Sequence, residues 1–105
     1  MTEYILIYTL CASGKEAKKI GKLLLENRLA ACVNIFPAVQ SMYWWEGKIQ
    51  NAKEVGLFVK THSSKFEAIK SEILKNHSYE CPCVVSLPVQ EGEESYLKWI
   101  GKEIR

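Results

Sequence analysis

Four cysteines and two histidines are the residues of this chain best able to hold a transition metal, and most of them fall in three places. Cys11 closes an apolar run just ahead of Ser13-Gly14. That is the end of a strand before a helix N-terminus, where free amides and the helix dipole lower a thiol pKa and favour the thiolate. The favoured reading of the same position is a small buried hydrophobe, the common fate of a free cysteine. Cys32, inside Ala30-Ala31-Cys32-Val33, has an apolar setting that reads as core packing. The third place is His77 with Cys81 and Cys83. Pro82 holds Cys81 toward extended geometry, so both thiols can project to one side. With His77 they offer two sulfurs and an imidazole, a set suited to Cu(I) or Zn(II). The alternative is two packed residues entering a strand, with His77 capping the carbonyls of a helix end.

These spacings lack the paired C-x-x-C units of a zinc module, and no segment carries a complete four-ligand set, so folding is expected not to require a metal. There is no nucleophile elbow, glycine-rich phosphate loop or H-E-x-x-H, and the carboxylates are dispersed. The chain reads as a binding protein, not an enzyme. Glu54 and Lys60 share one face of a strand, either as an ion pair or as polar groups at the mouth of a cleft. Tyr43, Trp44 and Trp45 are successive strand residues and so cannot all line one wall. An oligomer interface is the better use of such large side chains with polar tips.

The elements that must position these residues follow from periodicity. Tyr4 to Leu10 alternate large side chains and predict a strand with both faces covered. Ser13 and Glu16 have capping-box spacing, after which Ala17, Ile20, Leu23 and Leu24 form an apolar helical stripe opposite Lys15, Lys18, Lys19 and Lys22. Ala31 to Trp45 predicts a long strand with a bulge at Pro37, reversed at Glu46-Gly47 and returned by Ile49 to Thr61. Ser64 and Glu67 repeat the capping-box spacing ahead of a helix carrying Phe66, Ile69 and Ile73 and ending near Asn76. Val84 to Val89 is the last strand, and Leu97, Ile100 and Ile104 mark a short terminal helix. The order β-α-β-β-α-β plus a C-terminal helix is the split βαβ of an α+β, ferredoxin-like fold with an antiparallel sheet. Its second and third strands are too long for a sheet one helix deep, and an overhanging aromatic hairpin invites pairing with another subunit.

At 105 residues and 48% hydrophobic, the chain is expected to form one domain over residues 1–105. A net charge of +2, from 14 basic and 12 acidic residues, leaves no phosphate-neutralising excess, so no nucleic-acid partner is expected. The start lacks a signal-peptide pattern and no window reaches the ~18 apolar residues of a membrane span. A cytoplasmic location with reduced thiols and no membrane partner is expected.

The strings Arg28 to Ile35, Ser41 to Ile49, Glu54, Lys60-Thr61, His77 to Pro82 and Tyr96 to Trp99 closely resemble the CutA divalent-cation-tolerance family over nearly the whole chain. The resemblance implies a homotrimer in which long hairpins pair across subunits, linked to heavy-metal resistance and to binding of copper or other divalent ions. It implies intersubunit clefts lined by Cys11, Cys32, His77, Glu54, Lys60, Tyr79 and Trp45. The architecture is also similar to trimeric PII signalling proteins, so the alternative is a signalling trimer that binds a small anion or nucleotide and passes its state to an unidentified protein partner. Two positions depart from the family pattern. Ser78 stands where the family commonly has Pro, and Cys83 where it commonly has Glu, which moves any ligand set at this loop from hard toward soft.

Overall fold

The computed structural model describes residues 3–105. Its elements are β1 (Tyr4–Cys11), α1 (Gly14–Glu26), β2 (Cys32–Trp45), β3 (Lys48–His62), a 3₁₀ turn (Ser63–Lys65), α2 (Phe66–Asn76), β4 (Val84–Pro88) and α3 (Glu94–Glu103). The strands form one sheet in the order β2-β3-β1-β4, each neighbouring pair antiparallel. This is the split βαβ arrangement that periodicity predicts. Among the described residues, no helix is long and apolar enough to cross a membrane.

Alternation along β1 sorts its side chains between two unlike faces. Ile5, Ile7, Thr9 and Cys11 are buried, and with Leu57 and Val59 of β3 they meet Ile20 and Leu24 of α1 and Ile69 and Ile73 of α2. Tyr4, Leu6, Tyr8 and Leu10 point to the other face and are only partly covered. The expectation of two covered faces therefore holds for one, because α1 and α2 both pack on the same side. On the second face Tyr8, Phe36 and Phe58 cluster with ring centroids 5.2 to 6.5 Å apart, and Val85 and Leu87 of β4 are exposed.

The caps show which local signals tertiary structure retains. Ser13 Oγ accepts the Glu16 amide at 3.1 Å, but the Glu16 carboxylate accepts from Ala12, one residue before the cap. The second expected capping box does not form. His62 Nδ1 accepts the Ser64 amide at 3.1 Å and opens the 3₁₀ turn, and α2 then starts without a side-chain cap. At the last helix Glu93 is the cap, accepting from Tyr96 N. Ile104 lies just beyond α3 as its C-cap, where it was expected on the helical face.

The β2–β3 hairpin contains one irregularity. Phe36 pairs with Gly56 and Val39 with Glu54, so Pro37 and Ala38 together form a bulge, with Ala38 at φ 62°. Two residues where the ladder allows one reverse the facing of everything beyond. The turn places Glu46 at φ 50° and Gly47 at φ 78°, the left-handed pair of a tight two-residue reversal. The hairpin overhangs the core, making the chain 44 Å long against 26 and 23 Å in the other directions. The radius of gyration is 14.3 Å, against about 13 Å for a compact chain of this length.

Candidate functional site

The residues singled out from sequence separate into three neighbourhoods. The first is an open groove of about 940 Å³ between the hairpin and the segment before β4. Because of the bulge, Val39, Ser41, Tyr43 and Trp45 pair with Glu54, Ala52, Gln50 and Lys48, and Tyr43 and Trp45 line this groove. Trp44 points to the opposite face and is 72% exposed. Across from the hairpin stand Tyr79, Glu80, Cys81 and Cys83, with Glu54 and Tyr8 in the floor.

Glu54 is buried and accepts a hydrogen bond from the Tyr79 hydroxyl at 2.9 Å. Its charge is felt by Tyr8, Tyr79 and Cys83. Burial, then the Cys83 and Glu54 charges, push the Tyr8 hydroxyl up; burial, then Glu54, do the same to Cys83. Burial and the Glu54 hydrogen bond push Tyr79 up strongly. A buried carboxylate in the floor gives the groove a negative potential that would attract cations. Among the described residues lining it, Glu54 and Glu80 are charged and none is Lys or Arg.

The second neighbourhood lies beneath the groove. Donor atoms of Cys11, Glu16 and His77 all come within 4.8 Å of one another. The His77 side chain is fully enclosed. Tyr79 N donates to its Nδ1 at 3.1 Å, so Nε2 carries the proton and donates to the Leu10 carbonyl at 2.7 Å. His77 thus reaches a strand carbonyl and not the end of α2, where Asn76 donates to the Glu72 carbonyl instead. Glu16 Oε1 accepts from Ala12 N and Oε2 from Ser78 N. Burial pushes the Glu16 carboxyl up, but hydrogen bonds from Ser78 and Ala12 and the nearby His77 outweigh it and leave the pKa lowered. Cys11 is fully enclosed, and burial, then the Glu16 and Glu54 charges, push its thiol up to about 11. The expectation of a lowered, thiolate-favouring pKa is reversed, since desolvation exceeds the dipole of α1. As arranged, the His77 lone pair and both Glu16 oxygens already accept backbone amides, so a metal here would have to displace these bonds. The group is a hydrogen-bonded clasp that holds the start of the 77–83 segment against β1 and α1.

The third neighbourhood is on the uncovered face of the sheet. Lys60 Nζ donates to the Tyr96 hydroxyl at 2.9 Å, and that bond raises the lysine pKa. Cys32 is its direct cross-strand partner and lies 3.9 Å from Asn34 Oδ1. Cys32 is half-buried on this face, while the adjacent Val33 packs on the core, a correction to the core-packing reading. Glu54 and Lys60 do not pair with each other; each has a tyrosine partner. Sequence reasoning brought Glu54, Tyr79, Trp45, Cys81 and Cys83 into one site, but it also placed Cys11, His77, Cys32 and Lys60 there. It missed Glu16 and Tyr96 as site residues. Glu16 was visible only as a helix cap, and nothing local to Tyr96 points at Lys60.

The CutA1 divalent ion tolerance protein model matches residues 5–103. The divalent-cation tolerance protein CutA of Archaeoglobus fulgidus is 46% identical over 98 residues, covering 93% of this chain and 95% of that one. A CutA homolog of Danio rerio is 39% identical over 94 residues, covering 90% of this chain but 63% of the longer fish protein. A solved structure described as the periplasmic divalent cation tolerance protein CutA from Archaeoglobus fulgidus superposes with a TM-score of 0.94 at 44% identity, covering 97% of this chain and 99% of that one. With the split βαβ sheet, the overhanging hairpin and a match along almost its full length, this chain belongs to the CutA1 divalent ion tolerance family.

Proposed function

We propose that this protein contributes to divalent-cation tolerance as a non-enzymatic homotrimer that binds copper or another divalent metal ion in the groove beside its hairpin. The observation that carries the reading is the make-up of that groove: two carboxylates, two thiols and no basic side chain among the described lining residues. Such a lining attracts cations and repels phosphate, which with the family match favours cation tolerance over the PII-like alternative. The hairpin forms one wall of the groove and carries exposed aromatics at its tip, so a neighbouring copy would complete the site. All four cysteines are free. Reduced thiols suit the cytoplasm, which is where we place the protein, whereas the Archaeoglobus relative is described as periplasmic. Folding does not wait on the metal in this reading, because the core is closed by apolar packing without it. Native mass spectrometry of reduced protein, with a metal series and a nucleotide panel, tests the whole. A threefold mass that takes up metal and no nucleotide is expected. A monomer at micromolar concentration, or nucleotide uptake without metal, would sink it.

A further inference from the structure

The groove and the clasp beneath it hold different donors in different states, and the difference selects one of them. In the clasp, both His77 nitrogens and both Glu16 oxygens already hold hydrogen bonds within the protein. In the groove wall, Cys81 is exposed, Cys83 is half-buried, and Pro82 stands between them. Both cysteines line the same groove. Glu54, a buried carboxylate, lines the same groove. Among the described residues, neither Cys81 nor Cys83 belongs to a group of three or more histidine, cysteine or carboxylate donors at ligand spacing. Two soft sulfurs without a tetrahedral complement suit a monovalent soft ion of low coordination number better than zinc, which takes four ligands.

Resting on the metal-binding reading above, we infer that Cys81 and Cys83 form a two-sulfur site for Cu(I) on the groove wall, with Glu54 as its anionic neighbour and the Glu16 and His77 hydrogen bonds as its support. On binding, each thiol gives its proton to solvent as one sulfur–copper bond forms. Copper enters as Cu(I), so no electron is transferred. Two positive charges leave as protons for the one that arrives, and the Glu54 carboxylate remains ionised beside the site. The role of the clasp is positional: Ser78 N bonds to Glu16 and Tyr79 N to His77, which anchors the chain that leads to Cys81.

The test is competition of reduced protein against a colorimetric Cu(I) chelator, with parallel Zn(II) and Cu(II) titrations. The variants are Cys81→Ser with Cys83→Ser, Cys11→Ala, and Cys83→Glu, and circular dichroism checks that each is folded. The double serine variant is expected to lose about 100-fold or more in Cu(I) affinity, together with the ultraviolet sulfur-to-copper absorption. Cys11→Ala should stay within about threefold, as a separate site does. Cys83→Glu, which installs the residue common in the family, should weaken Cu(I) while sparing Zn(II). Cu(I) binding that survives in the double serine variant but is lost in Cys11→Ala would overturn the inference and leave the metal-binding reading standing. Binding of Zn(II) or Cu(II) without Cu(I) would do the same. Uptake of none of the three ions would remove both.

Discussion

The Cys11 thiol is enclosed beneath the sheet within reach of the Glu16 and Glu54 charges, and it keeps its proton up to about 11, against 9.0 for a free thiol. The unfolded chain therefore releases this proton first. Stability is full below pH 9.0 and falls as pH rises toward about 11, because over that window the folded state binds the proton that the unfolded state has lost. The loss amounts to about 2 to 3 kcal/mol at the top of the window. Urea unfolding at pH 8 and at about pH 11 should show this decline in the wild type and a smaller one in Cys11→Ala. Equal declines in the two would mean that the thiol is not the linked group. His77 acts by a different route, since its ring satisfies the Leu10 carbonyl and the Tyr79 amide. His77→Ala orphans both and should cost about 2 kcal/mol or more. Faster hydrogen exchange at the Tyr79 amide is the specific sign that the clasp has opened, and unchanged exchange there would refute the clasp.

At the scale of elements, the bulge in β2 decides which aromatics face the groove. Without the extra residue at Pro37-Ala38, Tyr43 and Trp45 would exchange faces with Trp44. Just before the bulge, Phe36 lies over Gly56, and a Cβ added there would stand 2.1 Å from the ring. Gly56→Ala is therefore expected to cost about 1 to 3 kcal/mol by displacing Phe36 from its contacts with Tyr8 and Phe58. Thermal melting measures the cost, and Phe36→Leu in the same chain should recover part of it. No recovery would show that the strain lies in the backbone of β3 and not in the ring.

For the whole molecule, the overhang leaves hairpin aromatics exposed that the proposed trimer would cover. Trp45 is 42% exposed in the isolated chain, at the far end of a hairpin longer than the core beneath it. In the proposed trimer it is covered, and truncating a covered Trp costs about 3 to 5 kcal/mol. That loss recurs at each interface. Trp45→Ala should lower the melting midpoint and dissociate the assembly at micromolar concentration, while metal-free Cys83→Ser should remain trimeric. Native mass and melting of both variants decide it. A trimeric Trp45→Ala with an unchanged midpoint, beside a dissociated Cys83→Ser, would assign the interface to thiols.

Periodicity alone determined the element order, the hairpin with its reversal at Glu46-Gly47 and the irregularity at Pro37, because these depend on contacts between near neighbours and on backbone preferences. The groove was legible in part: Cys81 and Cys83 stand two residues apart, and both line its wall. The tertiary structure alone decided which other donors join them. His77, five residues after Glu72 in the chain, has its ring turned toward Leu10, and Lys60 is matched to Tyr96 across 36 positions. The thiol of Cys11 reversed its expected character for the same reason. A helix dipole can be read from its neighbours in sequence, but desolvation is set by everything that folds over the group.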